Sequence, residues 1–243
     1  MGTYLFAQNL SKPQNPISAI DTTAKFQNEL FTKGNVNWGV KTAYIQSNLY
    51  GVDRPFLSVN GQTNALNGFL FGITVNSMIS KYIWLKHELN FHLHGAGVTL
   101  HDSINGNYNS QLRMYSLQLL PISPAFHIKG FQLYASPYIS ALLDAYIKRK
   151  DKLGNYYTDH SIYGNDKENT QFNKYLQKFD FGIATGVEYE FYFGLNIGVR
   201  YTRGFIPIFD NANVNTFSQN NPVIKIYNQA IIFSLGYSPK KKN

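Results

Sequence analysis

The 243-residue sequence contains no cysteine, which excludes a disulfide framework and a thiolate metal site. It also lacks any run near the ~18 to 20 apolar residues that a membrane-spanning helix requires, so any membrane crossing has to be made by strands. Charged residues are scarce, at 15% of the chain, and the net charge is +8. The lysines and arginines are scattered along the chain rather than concentrated along one element. We therefore expect no nucleic-acid partner.

Aromatic residues are abundant instead, at 16% of the chain, with 18 tyrosines and 18 phenylalanines. This content is typical of the aromatic girdles that flank the apolar band of an outer-membrane barrel. The length suits one domain.

A hairpin within residues 178–206 shows the strongest pattern in the chain. Its odd-numbered positions, such as Phe181 and Val187, are apolar or aromatic, and its even-numbered positions are small, polar or charged. Strict alternation is the period of a β-strand. Gly194 lies in the tight connection between the two arms.

The two faces of this hairpin indicate the class of barrel. In a soluble barrel or sandwich the apolar face turns inward and the other face is solvated. In an outer-membrane barrel the apolar face contacts lipid, and small or polar residues line the lumen. Because Ala184 and Gly186 on the other face would relieve crowding in a narrow lumen, we favour the membrane barrel over the soluble one.

The same alternation predicts eight strands between residues 36 and 237. Alternating long and short connections are typical of an up-and-down outer-membrane barrel, whose long loops lie outside the cell. We therefore predict an all-β, eight-stranded antiparallel up-and-down transmembrane β-barrel in the cell outer membrane. The long polar segments are residues 47–67, 101–109, 148–175 and 210–222. The short connections are residues 81–82, residues 129–130 and the turn that contains Gly194.

The two ends of the chain are predicted to lie outside the barrel. Residues 1–35 form a polar lead-in, whose first residues resemble the end of a signal peptide with a cleavage site at Ala7. A short helix is expected over residues 22–31. Residues 238–243 form a basic tail with three consecutive lysines, which we interpret as solvated.

Several sequence blocks together carry a family resemblance. NWGVKTAY, GFLFGITV, LKHELNF, YSLQLLPISPAFHIKGFQLYASPYISALLDA, FDFGIATGVEY and GVRYTRG resemble the PorT-like outer-membrane β-barrel family of the Bacteroidota, over roughly residues 36–237. The resemblance implies an eight-stranded outer-membrane barrel, often assigned to a porin family without a defined substrate. Some members of that family serve type IX secretion. The tail departs from the family's usual terminal aromatic residue, although Tyr237 closes the last strand.

Seven charged residues are predicted to point into the lumen. If residue 191 pairs with residue 195, Arg200 lies opposite Gly186 and diagonal to Glu188. Glu88 would form a second cluster with Lys86 or Lys41. These charges could act as a selectivity constriction or as a salt-bridge plug, and we favour the plug because side chains fill an eight-stranded barrel. The seven residues are Lys41, Lys86, Glu88, Asp180, Glu188, Glu190 and Arg200.

Other chemically interesting residues form incomplete patterns. His92 and His94 share one strand face, but two ligands do not make a metal site. Two loop pairs, His101-Asp102 and Asp159-His160, suggest an Asp/His dyad, yet nothing in the sequence fixes their geometry. We therefore predict no catalytic residue, no metal and no cofactor.

The sequence thus predicts a non-catalytic barrel with a largely plugged lumen and a structural, adhesive or secretion-accessory role. Its expected partners are the lipid bilayer and other envelope or secretion proteins. A small-solute channel is the alternative, and a barrel enzyme with loop Asp and His residues is the third.

Overall fold

The computed structural model describes residues 36–162, 175–210 and 223–239. The lead-in and its expected helix lie outside the described residues, as do the tail residues 240–243. Within the described ranges, no helix is long and apolar enough to cross a membrane. The strands are β1 (Val36–Tyr50), β2 (Asn64–Met78), β3 (Ile83–Asp102), β4 (Gly106–Ile128), β5 (Phe131–Lys150), β6 (Tyr156–Asp159), β7 (Phe179–Glu190), β8 (Leu195–Gly204) and β9 (Tyr227–Tyr237).

Eight of these strands close into an antiparallel ring. Sequential neighbours pair from β1 to β5, β5 pairs with β7, and β7, β8 and β9 continue the ring. Pairing between β9 and β1 closes it. Within the described ranges, the short β6 pairs with the end of β5 alone, from Ile147 to Lys150, so it is an addition to the ring. The predicted eight-stranded up-and-down fold is confirmed.

The two faces of the wall are as the alternation predicted. On β2, Phe71 is 57% exposed whereas the adjacent Leu70 is fully buried. On β5, Leu133 is 60% exposed and the adjacent Tyr134 only 3%. Because successive side chains of a strand point to opposite faces, the apolar outward set covers the outside of the barrel and the other set fills it.

The tight connections lie at one end of the barrel, which we call the short-turn end. Between β4 and β5, Lys129 and Gly130 have φ values of 48° and 90°, and positive φ at both central residues is typical of a type I′ hairpin turn. Between β7 and β8, Gly194 has φ 96°, and a Cβ there would lie 2.2 Å from the Ser238 carbonyl oxygen. The predicted short connections at residues 129–130 and at Gly194 are thus confirmed, and the one predicted at residues 81–82 spans residues 79–82.

The opposite end, which we call the long-loop end, differs from the prediction in four places. The predicted polar segment over residues 47–67 is shorter, because β1 extends to Tyr50 and β2 begins at Asn64. The expected loop over residues 101–109 is wrong, because β3 and β4 stay paired up to Asp102 and Gly106 and leave a turn of residues 103–105. The polar segment after β5 contains β6, which extends the edge of β5. The last strand begins at Tyr227 rather than Val223.

An apolar cluster fills the lumen at the long-loop end. This apolar cluster, as we call it from here on, combines lumen-facing residues of the strands with residues from the loops between them. Leu57 lies in the loop after β1, Ile162 and Leu176 lie in the segment between β6 and β7, and Ile208 and Phe209 follow β8. The other members are Leu49, Ala96, Val98, Leu112, Met114, Leu142, Ala145, Ile147, Ile224 and Ile226.

Backbone hydrogen bonds hold these loop segments together. The Gln177 amide donates to the Ile208 carbonyl at 2.8 Å, and the Ile208 amide donates to the Ile226 carbonyl at 2.8 Å. The Asp210 amide donates to the Tyr175 carbonyl, also at 2.8 Å. Because their backbone groups are satisfied by one another, the segments can lie across the lumen away from water.

Candidate functional site

Five charged side chains meet across the lumen nearer the short-turn end, and we call them the charged layer: Lys41, Lys86, Glu88, Glu188 and Arg200. The Lys41 Nζ atom lies 2.8 Å from Glu88 Oε1 and 2.6 Å from Glu188 Oε1. The Lys86 Nζ atom lies 2.5 Å from Glu188 Oε2, and Arg200 Nη2 lies 2.5 Å from Glu88 Oε2. Each of the five residues is at most 3% exposed. The layer therefore joins β1, β3, β7 and β8 through buried ion pairs.

Glycines beside the charged layer give these long side chains room. Arg200 pairs with Gly186 and Glu188 with Gly198 across the β7–β8 ladder. A Cβ at Gly198 would lie 2.4 Å from Glu188 Cγ, so no other residue fits there without displacing the carboxylate chain. Lys41 likewise pairs with Gly72 on β2.

The expected division into two clusters is wrong. Arg200 does lie opposite Gly186, as predicted, but its close partner is Glu88 rather than Glu188, whose Oε1 is 3.9 Å away. Lys41 then contacts both carboxylates and joins the sets into one layer. The reason is the narrow bore of an eight-stranded barrel, in which a long side chain on β8 reaches the far wall at β3.

Tyr134 is a member of this site that sequence reasoning missed. Its hydroxyl accepts a hydrogen bond from Arg200 Nε at 2.8 Å and donates to Glu188 Oε1 at 3.2 Å. The Lys86 ammonium lies 4.7 Å from the centre of its ring. The sequence did contain a sign of this role, because the alternation along β5 places Tyr134 on the lumen-facing side.

The charged layer is not electrically balanced. Three cations face two carboxylates, which leaves one excess positive charge among fully buried groups. Arg200 Nη1 is buried and has no hydrogen-bond partner among the described residues. Tyr134 offsets part of the excess through its hydroxyl oxygen and the face of its ring.

The remaining two predicted lumen residues lie outside the charged layer. The Glu190 carboxylate, two residues closer to the short-turn end than Glu188, accepts a hydrogen bond from Gln132 Nε2 at 2.9 Å. The Asp180 carboxylate lies towards the long-loop end and accepts from the Tyr138 hydroxyl at 3.0 Å. The structure therefore brings together five of the seven predicted residues.

A small polar cavity of about 40 Å³ separates the charged layer from the apolar cluster. Along β3 the lumen-facing order is Glu88 of the layer, then His92 of the cavity wall, then Val98 of the cluster. Gln118 Oε1 and His92 Nε2 are buried cavity-wall atoms without a hydrogen-bond partner in the described chain. The cavity is large enough for a few water molecules, each needing roughly 10 to 15 Å³ by this measure.

His92 and His94 lie on the same face of β3, as predicted. Their rings stack at 4.9 Å between centroids, and the Nε2 atom of His94 lies 3.0 Å from the Ser116 hydroxyl. Among the described residues, no group of three His, Cys, Asp or Glu side chains is arranged to hold a metal ion.

The two loop pairs do not form dyads in the described structure. His101 Nδ1 contacts the Asn107 side chain at 2.8 Å. Asp159 pairs with Arg149 at 2.5 Å, and His160 lies 3.4 Å from Asp144 instead. Partial burial works against ionisation of Asp159, but hydrogen bonds from Ser161 and the contact with Arg149 lower its pKa, so it is a weak base.

An eight-stranded up-and-down barrel with an apolar outside and buried charges inside defines the class of outer-membrane β-barrel proteins. A family model described as outer membrane protein beta-barrel domain matches residues 6–210. The chain belongs to this family, and it is a protein of the outer membrane, in contact with its lipid bilayer. A comparison with curated proteins gives no match.

Solved structures of the same class are similar in fold. Neisserial surface protein A is 13% identical with a TM-score of 0.45, over 82% of this chain and 96% of that one. The attachment invasion locus protein Ail of Yersinia pestis is 11% identical with a TM-score of 0.42, over 84% and 99%. OprG of Pseudomonas aeruginosa is 12% identical with a TM-score of 0.37, over 86% and 98%.

Proposed function

We propose that this protein is a non-catalytic outer-membrane barrel that does not conduct solutes and that presents its long-loop end outside the cell. Its role is structural, adhesive or accessory to secretion, with other envelope or secretion proteins as partners. We also propose that it belongs to the PorT-like group within its family. The single observation that carries the proposal is that the lumen is filled at two levels, by the charged layer and by the apolar cluster.

The charged layer supports a plug better than a selectivity filter. A filter needs charged groups in contact with water so that ions can bind and leave. Here the ammonium and carboxylate groups are satisfied by one another at 2.5 to 2.8 Å and are nearly inaccessible. Their mutual attraction holds the side chains across the bore.

The apolar cluster supports the same proposal at the other end. Its residues come from strands and from loop segments on both sides of β7 and β8, so those segments cover the lumen. A solute would have to displace buried Ile208 and Phe209 to enter.

The polar cavity favours a small-solute channel as the second candidate. Among the described residues, buried polar atoms without hydrogen-bond partners, including Gln118 Oε1, are compatible with water molecules held in this cavity. Swelling of liposomes containing the refolded protein, in solutions of small sugars, separates the two functions. We expect no swelling above protein-free liposomes, and size-dependent swelling would establish the channel instead.

The proposed orientation is testable because the chain has no native cysteine. Leu153 at the long-loop end and Tyr192 at the short-turn end are matched in exposure, at 85% and 87%. We expect Leu153→Cys to react with a large polyethylene-glycol maleimide on intact cells. Tyr192→Cys should react only after the outer membrane has been permeabilised. The reverse labelling pattern would invert the orientation and contradict the proposed display of the loops.

A further inference from the structure

The wall of the barrel is interrupted between β4 and β5. The ladder pairs Leu119 with Ile139 and resumes only where Ala125 pairs with Tyr134. Residues 120–124 and 135–138, which we call the seam, form no ladder pairs with one another. The seam lies beside the charged layer, because Tyr134 borders both.

The edge of β4 that pairs with β3 is also irregular at the level of the seam. Lys86 pairs with Ser123 and Glu88 pairs with Leu120, so two β4 residues lie opposite one β3 residue. This is a β-bulge, which bends the strand and disrupts its pairing. The bulge thus coincides with the stretch of β4 that is unpaired from β5.

Three prolines and two side-chain donors make the seam compatible with a membrane. Pro121, Pro124 and Pro137 have no backbone N–H, so they leave fewer donors to satisfy. The Ser136 hydroxyl lies 3.1 Å from the Ile122 carbonyl oxygen and 2.8 Å from that of Pro137. The carbonyl of Pro121 contacts the imidazole of His87. Side chains thus replace part of the ladder where lipid offers no partners.

An apolar groove lies on the outside of the barrel at the seam. Ile83, Phe126 and Leu133 form one row across β3, β4 and β5. The small residues Ala135 and Thr185 lie beside this row, further along β5 and β7 from the short-turn end. Its volume is about 520 Å³, within the range of roughly 300 to 1,000 Å³ that is typical of small-molecule sites. Among the residues that the structure describes, no charged side chain lines it.

We propose that this groove binds one hydrocarbon chain of an outer-membrane lipid. The groove is continuous with the lipid-facing surface, since Ile83, Phe126 and Leu133 are 48%, 52% and 60% exposed on that surface. A flexible hydrocarbon chain buries this apolar surface without bringing in a polar group that needs a partner. Tyr134 lines the groove and also contacts Glu188 and Arg200, so the bound chain lies directly behind the charged layer.

Photo-crosslinking tests this site. The refolded protein is placed in bilayers containing phosphatidylethanolamine with a diazirine in its acyl chain, and the labelled residues are mapped by peptide mass spectrometry. We expect several-fold more label on residues 122–135 than on the lipid-facing residues 69–75 of β2. Ala135→Leu, which fills the groove, should remove most of that excess.

Ala141→Leu is the matched control. Ala141 is on the same strand, but its ladder is continuous, with Leu117 on one side and Phe179 on the other. It should leave the excess label unchanged. Thr185→Leu fills the groove from β7 and repeats the test if Ala135→Leu does not refold, as judged by heat-modifiable gel migration. Equal labelling of seam and β2, or an excess that persists in folded groove-filled variants, would overturn the proposal.

Discussion

The charged layer and the apolar cluster fill the same lumen by different physical means. The charged layer is built from side chains of four strands, and its ion pairs require each nitrogen and oxygen to meet within 2.5 to 2.8 Å. The apolar cluster draws on loops as well as strands and depends on removing apolar surface from water. Because the hydrophobic effect is not directional, the cluster can adjust to a lost side chain, whereas the layer cannot adjust to a lost charge.

The largest effect is expected from removing a carboxylate of the charged layer. Glu188→Gln leaves three cations facing one carboxylate, and breaking a buried pair in this way costs about 3 to 5 kcal/mol. Urea unfolding in phospholipid vesicles measures the free energy of unfolding.

Lys86→Met is the matched control, because it removes a cation and balances the layer. It should cost much less than Glu188→Gln, and the double variant should be more stable than the sum of the two changes indicates. Equal costs for the two single variants would show that charge balance does not govern the layer.

A charge introduced on the lipid-facing side of the barrel provides a second comparison with the charged layer, because lipid offers no counterion. Val187 is 47% exposed on the outward face of β7, one residue from Glu188. We expect Val187→Arg to impair assembly and to cost at most about 2 to 4 kcal/mol, the cost of an arginine at the bilayer midplane. Heat-modifiable gel migration after refolding measures assembly, and Val187→Leu is the control. Normal assembly of Val187→Arg would mean that the two faces are assigned the wrong way round.

The smallest of these effects is expected in the apolar cluster. Burial of Ile208 removes it from water, but the loop segment that carries it can settle into the space left by truncation. Ile208→Ala should therefore cost about 2 kcal/mol, at the low end of the usual range for buried aliphatic truncation. The same urea unfolding measures it, and proteolysis of the loops should become faster. A cost as large as that of Glu188→Gln would remove the distinction between the two regions.

Alternation predicted the fold and the inward residues because a period of two specifies a face of the wall. It also predicted the register at Gly186 and Arg200, since a tight turn fixes the pairing of two adjacent strands. Whether Arg200 meets Glu88 depends on the position of each residue along the barrel axis. That axial position depends on the stagger accumulated over several strands between β8 and β3, so the pairing of two adjacent strands does not reveal it.

The apolar cluster was harder to predict than the charged layer. Ile208 and Phe209 end the short apolar run FIPIF beside a polar segment, and a run this short shows no strand or helix period. Their burial in one cluster with Leu112 and other strand residues follows from tertiary packing that the folded barrel provides. The seam is partly visible in the sequence, because Pro121 and Pro124 cannot donate to a β-ladder and therefore indicate a bulge or bend in the fourth strand.

Single-channel recording in planar bilayers tests most directly whether the lumen is closed at two levels. The wild-type protein should show no steady conductance, and Ile208→Ala should resemble it because the charged layer remains. Arg200→Ala should add brief openings, because the longest side chain of the layer is lost, and combining it with Ile208→Ala should increase their frequency and duration. A large, steady conductance in the wild-type protein that scales with salt concentration would contradict the closed lumen.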